Sequence, residues 1–183
     1  MKRIIPYLFL PIFLLCISAC HNKTKNQEKK QTVVKDTVDS IGIQRMQEST
    51  SKQVVKMNGV SYNIELHRAA KDSLTRIKTE AGEWFADNVI HLKIVSGKDK
   101  KVIDKSFTKK SFSSIVPADF LSHSILEGMV FDKVTNAGLC FAASVCYPQT
   151  DLYFPIKITI TTGGSISMTK EEMMEDNYPE DKD

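Results

Sequence analysis

The chain has 183 residues, of which 42% are hydrophobic and 26% charged. That is the make-up of one ordinary globular domain with extensions, and it excludes a wholly disordered chain. The formal charge of +3 includes Lys2 and Arg3, so the remainder is near neutral, about +1, and gives no footing for nucleic acid as a partner.

In chain order, Lys2 and Arg3 precede an apolar run from Ile4 to Ile17, broken only by Pro6 and Pro11. The run is about 14 residues, short of the ~20 needed to span a bilayer. A charged start, a short apolar core and small residues together predict a secretory signal over residues 1–19. Ile17-Ser18-Ala19-Cys20 resembles the lipobox of bacterial lipoproteins. The resemblance implies cleavage before Cys20 and acyl chains on its sulfur and amino group. Two or three chains hold a protein to a membrane far more firmly than one, since each buried methylene contributes about 0.8 kcal/mol.

Residues 20–53 are polar, rich in Lys, Gln, Ser and Thr, and have no sustained apolar period. They read as a disordered tether with a span of about 35 Å; a short helix near Ile41 to Met46 is the alternative. Asp36-Thr37-Val38, Asp39-Ser40-Ile41 and Asp72-Ser73-Leu74 resemble the Asp-Ser/Thr-apolar acceptor of Bacteroidetes protein O-glycosylation. That makes Thr37, Ser40 and Ser73 candidate acceptors.

From Val54 the period becomes two. Val60, Tyr62, Ile64 and Leu66 share one strand face, and Asn58-Gly59 before them is a strong hairpin signal with Gln53 to Met57 as first arm. Ile90, Leu92 and Ile94 alternate with His91 and Lys93, and Val102 to Phe107 return as a second hairpin. Pro117 to Gly128 reads as a short helix or turn, with Pro117 at its first position and Gly128 as stop. A strand over Met129 to Thr135 follows, and Asn136-Ala137-Gly138 turns the chain. Leu139, Phe141, Ala143, Val145 and Tyr147 then form one face of a central strand whose other face is small: Cys140, Ala142, Ser144 and Cys146. Leu152, Phe154, Ile156, Ile158 and Ile160 alternate inward, and Pro155 marks a position whose missing N–H needs no partner. A last short strand ends near Met168. Thr169 to Glu172 has capping-box spacing, but residues 169–183 read as an acidic mobile tail.

The fold expected for residues 54–168 is therefore mainly β. An antiparallel meander forms a curved sandwich or partly open barrel with one short helix; an α+β single sheet with a covering helix is the alternative. Cys140 and Cys146 on one strand would lie about 20 Å apart, beyond the ~7 Å Cα separation a disulfide allows, so both should be buried thiols.

The lipobox, "GEWFADNVIHLKI", "KSFTKKSF", "CYPQTDLYFPIKITI" and the final glycine-containing hairpin together resemble small Bacteroidales lipoproteins grouped as domain of unknown function 4738. The resemblance spans nearly all of the chain after Val54. It implies an outer-membrane setting and carries no catalytic residues. Acidic residues after the cysteine favour surface display in related lipoproteins; His21-Asn22-Lys23-Thr24-Lys25 departs from that pattern, which implies a periplasm-facing location.

Chemistry is sparse. Ser106-Phe107-Thr108-Lys109 matches Ser-x-x-Lys, and Ser61-Tyr62-Asn63 mimics a second penicillin-binding motif, but their order is reversed and no Lys-Thr-Gly follows. No two of His21, His67, His91 and His123 have zinc-ligand spacing on one face; His123 follows Asp119 at helical spacing, as a surface pair. Trp84 and Phe85, beside Asp87-Asn88 in an expected loop, are candidate binding anchors. Lys105, Lys109 and Lys110 with Phe107 and Phe112 read as a basic-aromatic face. No catalytic residue, metal or cofactor is expected. A hydrolase requires separated groups such as His67, His91 and Asp104 to converge in a cleft. The expected function is a non-enzymatic binding or scaffold module held to the membrane, meeting another envelope protein or a glycan. The alternative is a lipocalin-like carrier of an apolar ligand, with Ala142, Ser144 and Cys146 lining its cavity.

Overall fold

The computed structural model describes residues 37–97 and 99–171. The signal, Cys20, the tether up to residue 36 and the tail from residue 172 lie outside the described residues.

Two four-stranded antiparallel sheets face each other as a sandwich, and a third, smaller sheet lies beside them. The first sheet holds β3 (Ser49–Met57), β4 (Val60–Ala70), β7 (Asn88–Ser96) and β8 (Lys100–Phe107), in that order. The second holds β9 (Ile125–Thr135), β10 (Gly138–Cys146), β11 (Tyr153–Ile160) and β12 (Ile166–Lys170), as a meander with β9 and β12 at its edges. The small sheet orders β1 (Thr37–Val38), β2 (Ile43–Arg45), β6 (Trp84–Phe85) and β5 (Ile77–Lys78), and its β2–β6 pair is parallel.

The period-two patterns fill the space between the sheets. Ile64, Leu92, Ile94 and Phe107 from the first sheet meet Leu126, Phe141, Ile156 and Ile158 from the second, all essentially without exposed surface. Asn58 and Gly59 both have positive φ, the conformation of a two-residue turn matched to strand twist. Pro155 sits opposite Ser144, and its carbonyl accepts from Glu171 just beyond β12. A residue's N and O point to the same side of a strand, so the missing N–H of Pro155 faces the place where β12 has ended.

Several expectations are corrected. The tether cannot run to Gln53, because three strands lie between Thr37 and Met57: β1 pairs with β2, β3 pairs along its whole length with β4, and Arg45 holds Asp39 at 3.0 Å and Asp72 at 2.5 Å. Neither a tether nor a helix describes Ile41 to Met46. Their polar pattern is that of a thin sheet with one buried side chain, Ile43. At the other end, Thr169 and Lys170 belong to β12 rather than to a tail or a capped helix. The helix α1 (Ala118–His123) is only six residues, with Pro117 as its N-cap. It stops before Gly128 because Ile125 and Leu126 pair with Cys146 and Val145 on β10. A backbone ladder with the core overrode helical spacing.

Candidate functional site

Ala142 and Ser144, on the small face of β10, point outward, while Cys140 and Cys146 on the same face are buried. Gly128 and Val130 on β9, Ala142 and Ser144 on β10, and Tyr153 and Pro155 on β11 floor a trough of about 620 Å³; Met46, Arg68 and Glu171 stand at its sides. One of the two register shifts between β9 and β10 lies in its floor. Gly128 pairs with Ser144 and Leu126 with Val145, so Glu127 is an extra residue, a β-bulge. Bulges bend a strand and re-aim side chains. Here the Glu127 carboxylate accepts the Ser144 hydroxyl at 2.8 Å, and its carbonyl accepts Arg68 Nη1 at 2.6 Å. Arg68 Nη2 donates to the Gln47 carbonyl at 3.0 Å. The guanidinium thus bridges the first and second sheets beside the trough.

Ala142 and Ser144 therefore line an open outer trough, not a cavity between the sheets, which corrects the inward placement behind the carrier expectation. Cys146 is elsewhere again, in a satellite core with Ile77, Phe85 and Ile125. Cys140 and Cys146 are both free and buried. Burial, with the Glu127 carboxylate adding to it, pushes the Cys146 thiol up to about 12. In the folded protein Cys146 should resist a thiol reagent at pH ~8 and react fully once unfolded, as peptide mapping would read.

The aromatic pair splits. Trp84 is 45% exposed, with Lys78 Nζ 5.7 Å from its ring centre, whereas Phe85 is 4% exposed and packs in the satellite core. The stretch is strand β6, not a loop, and alternation sends its two rings to opposite sides. Phe85 is thus withdrawn as a binding anchor. A second cleft, of about 350 Å³, lies between the β5–β6 hairpin (Lys78, Thr79, Glu80) and the β10–β11 turn (Tyr147, Gln149, Thr150), with His123 beside it.

The basic-aromatic face also dissolves. Phe107 and Phe112 are core rings 6.2 Å apart. Lys109 is buried, donating to the Ser124 carbonyl at 2.6 Å with Asp87 at 3.7 Å, while Lys105 and Lys110 stay exposed. Asp87, also buried, accepts the amides of Asn88 and Leu126, each at 2.8 Å. No sequence pattern marked this ion pair, which joins the residue before β7 to the turn that follows β8. Ser106 is exposed on β8 and Lys109 faces inward, so the Ser-x-x-Lys spacing makes no pair.

His67 and His91 are brought together as cross-strand partners, in a row running Thr50, His67, His91, Ser106. The rings diverge: His67 Nε2 lies 3.3 Å from Glu48 and its Nδ1 3.0 Å from Thr50, while His91 donates to Asp104 at 2.7 Å. That hydrogen bond is the largest cause of the lowered Asp104 carboxyl. The row lies on the outer face of the sheet, each histidine turned to its own carboxylate rather than to a common point. His123 Nδ1 and the Asp119 carboxylate are 3.9 Å apart on α1. Among the described residues, no group of three or more His, Cys, Asp or Glu stands ready to hold a metal.

Thr37, Ser40 and Ser73 are exposed around Arg45. The neighbouring Asp39 and Asp72 are both engaged with that arginine, and Asp39 also accepts the amides of Ile41 and Ile43. Turn closure explains Asp39 without a glycan.

A family model described as a domain of unknown function (DUF4738) matches residues 26–168. The chain is a DUF4738 protein. The DUF4738 match begins well before Val54, in keeping with strands β1 to β3 being part of the fold. No curated protein matches the DUF4738 chain. Among its described residues, no helix is long and apolar enough to cross a membrane.

Proposed function

We propose that this is a Bacteroidales-type lipoprotein, anchored at the outer membrane through acyl chains on Cys20 and facing the periplasm, that acts as a non-enzymatic binding or scaffold module. The trough on the outer face of β9–β11 is the observation that carries the reading. A sheet face of Gly128, Ala142 and Ser144, bounded by exposed Val130 and Tyr153, presents a concave, partly apolar surface of binding-site size. The partner in the trough is another envelope protein. Thr37, Ser40 and Ser73 remain candidate glycan acceptors at a distinct edge.

Ala142→Arg would fill the trough from an outward position without entering the core. Light crosslinking of native membranes should give an adduct with the wild type and lose it with Ala142→Arg. An unchanged adduct would overturn the trough as the site. Separately, Cys20→Ala should move the protein from the membrane to the soluble fraction. Continued membrane fractionation would overturn the anchor.

A further inference from the structure

We infer that the end cleft between the β5–β6 hairpin and the β10–β11 turn is a binding site for uncharged carbohydrate, of a size for one or two pyranose rings. Its chemistry is mixed in the manner a sugar needs. The C–H face of a pyranose is apolar and lies on aromatic rings, while its hydroxyls need both donors and acceptors. Tyr147 supplies the ring, fixed from behind by Phe120 at 4.6 Å between centroids. Lys78, Glu80 and Gln149, all exposed and lining the same cleft, supply donors and acceptors. Lys78 and Glu80 are opposite in sign, which disfavours a strongly charged ligand.

Both walls are preorganised by their own hydrogen bonds. In the turn, the Tyr147 amide donates to the Leu152 carbonyl at 2.9 Å, and the Thr150 hydroxyl donates to the Tyr147 carbonyl at 3.0 Å. Gln149 is held at φ 60, the left-handed region that residues other than glycine seldom occupy. In the hairpin, Thr79 and Gly82 close the loop through the Glu83 and Thr79 carbonyls, each at 2.9 Å. Rigid walls lower the ordering cost of binding a ligand. The site is separate from the trough, so each can fail without the other.

Trp84 is the sole tryptophan, and its ring carries Lys78, one wall of the cleft. Its emission therefore reports on the cleft through Lys78, with calorimetry as the direct measure. The full chain, titrated with cellohexaose, maltohexaose and chitohexaose, should show a saturable emission change with at least one sugar, at a Kd of about 1 mM or tighter, confirmed by calorimetry. Chitohexaose stands for the amino-sugar backbone of cell wall, the other two for free glucans. Tyr147→Ala and Glu80→Gln should each weaken binding about tenfold; Glu80→Gln alters only an exposed side chain and keeps the test valid if Tyr147→Ala misfolds. Absence of saturable binding to all three sugars at about 10 mM, by either readout, would overturn the site. So would binding that Glu80→Gln leaves unchanged.

Discussion

Replacing Asp87 by alanine is expected to lower the unfolding free energy by about 3–5 kcal/mol, measured by urea denaturation. Asp87 is 2% exposed, so its loss leaves Lys109 buried without its counter-charge and strips two buried amides, Asn88 and Leu126, of their acceptor. Lys109→Met should be costly for the converse reason, because Asp87 would stay charged or take up a proton. The double substitution should cost less than the two singles together, since neither charge is then stranded. Full additivity would mean the pair is not coupled.

The pH dependence has a definite sign. Burial is the largest cause at both ends, raising the Asp87 carboxyl above 3.8 and lowering the Lys109 ammonium below 10.5, against their mutual attraction. A carboxyl raised in the folded state stabilises the fold when protonated, and that contribution is lost as pH rises through its folded value. The wild type's advantage over Asp87→Asn should therefore shrink as pH rises from about 4, in parallel denaturation series. An advantage that grows instead would place the folded carboxyl below its usual range.

Gly138→Ala is expected to cost about 3–5 kcal/mol, or to prevent folding outright. Gly138 opens β10 at φ +146, and an added Cβ would come far closer than van der Waals contact to the Ile160 carbonyl oxygen on β11. The obstacle is the backbone at the end of β11, laddered to β10 and β12, and cannot swing away as a side chain could. Gly59→Ala is the control: its φ is also positive, but nothing lies within 4 Å of its Cβ position. It should lose only the conformational part, about 1 kcal/mol. Equal losses at the two sites would rule out the close approach as the cause.

The alternation of Tyr62, Ile64 and Leu66, of Ile90, Leu92 and Ile94, and of Ile156, Ile158 and Ile160 was enough to predict a β fold with its faces assigned. Asn58-Gly59 was enough to place its first turn, because these are local consequences of a two-residue period and of φ preferences. The central position of β10 was legible too, from two faces that both lack charge. Cys140 and Cys146 as buried free thiols followed from strand length alone. What only the tertiary structure decided is which small or polar residues meet across the chain. The outward trough holds an unpatterned bulge at Glu127 in its floor. The Asp87–Lys109 pair joins residues whose charged, polar neighbourhoods both read as surface. Trp84 and Phe85 part because β6 is a two-residue strand, too short to leave a period. Strands β1 and β2 and the first half of β3 looked like tether because edge and thin-sheet strands bury few side chains; their order comes from backbone ladders and from Arg45 gripping Asp39 and Asp72. Periodicity reports burial, and these features are held by hydrogen bonds and charge at positions where burial has no period.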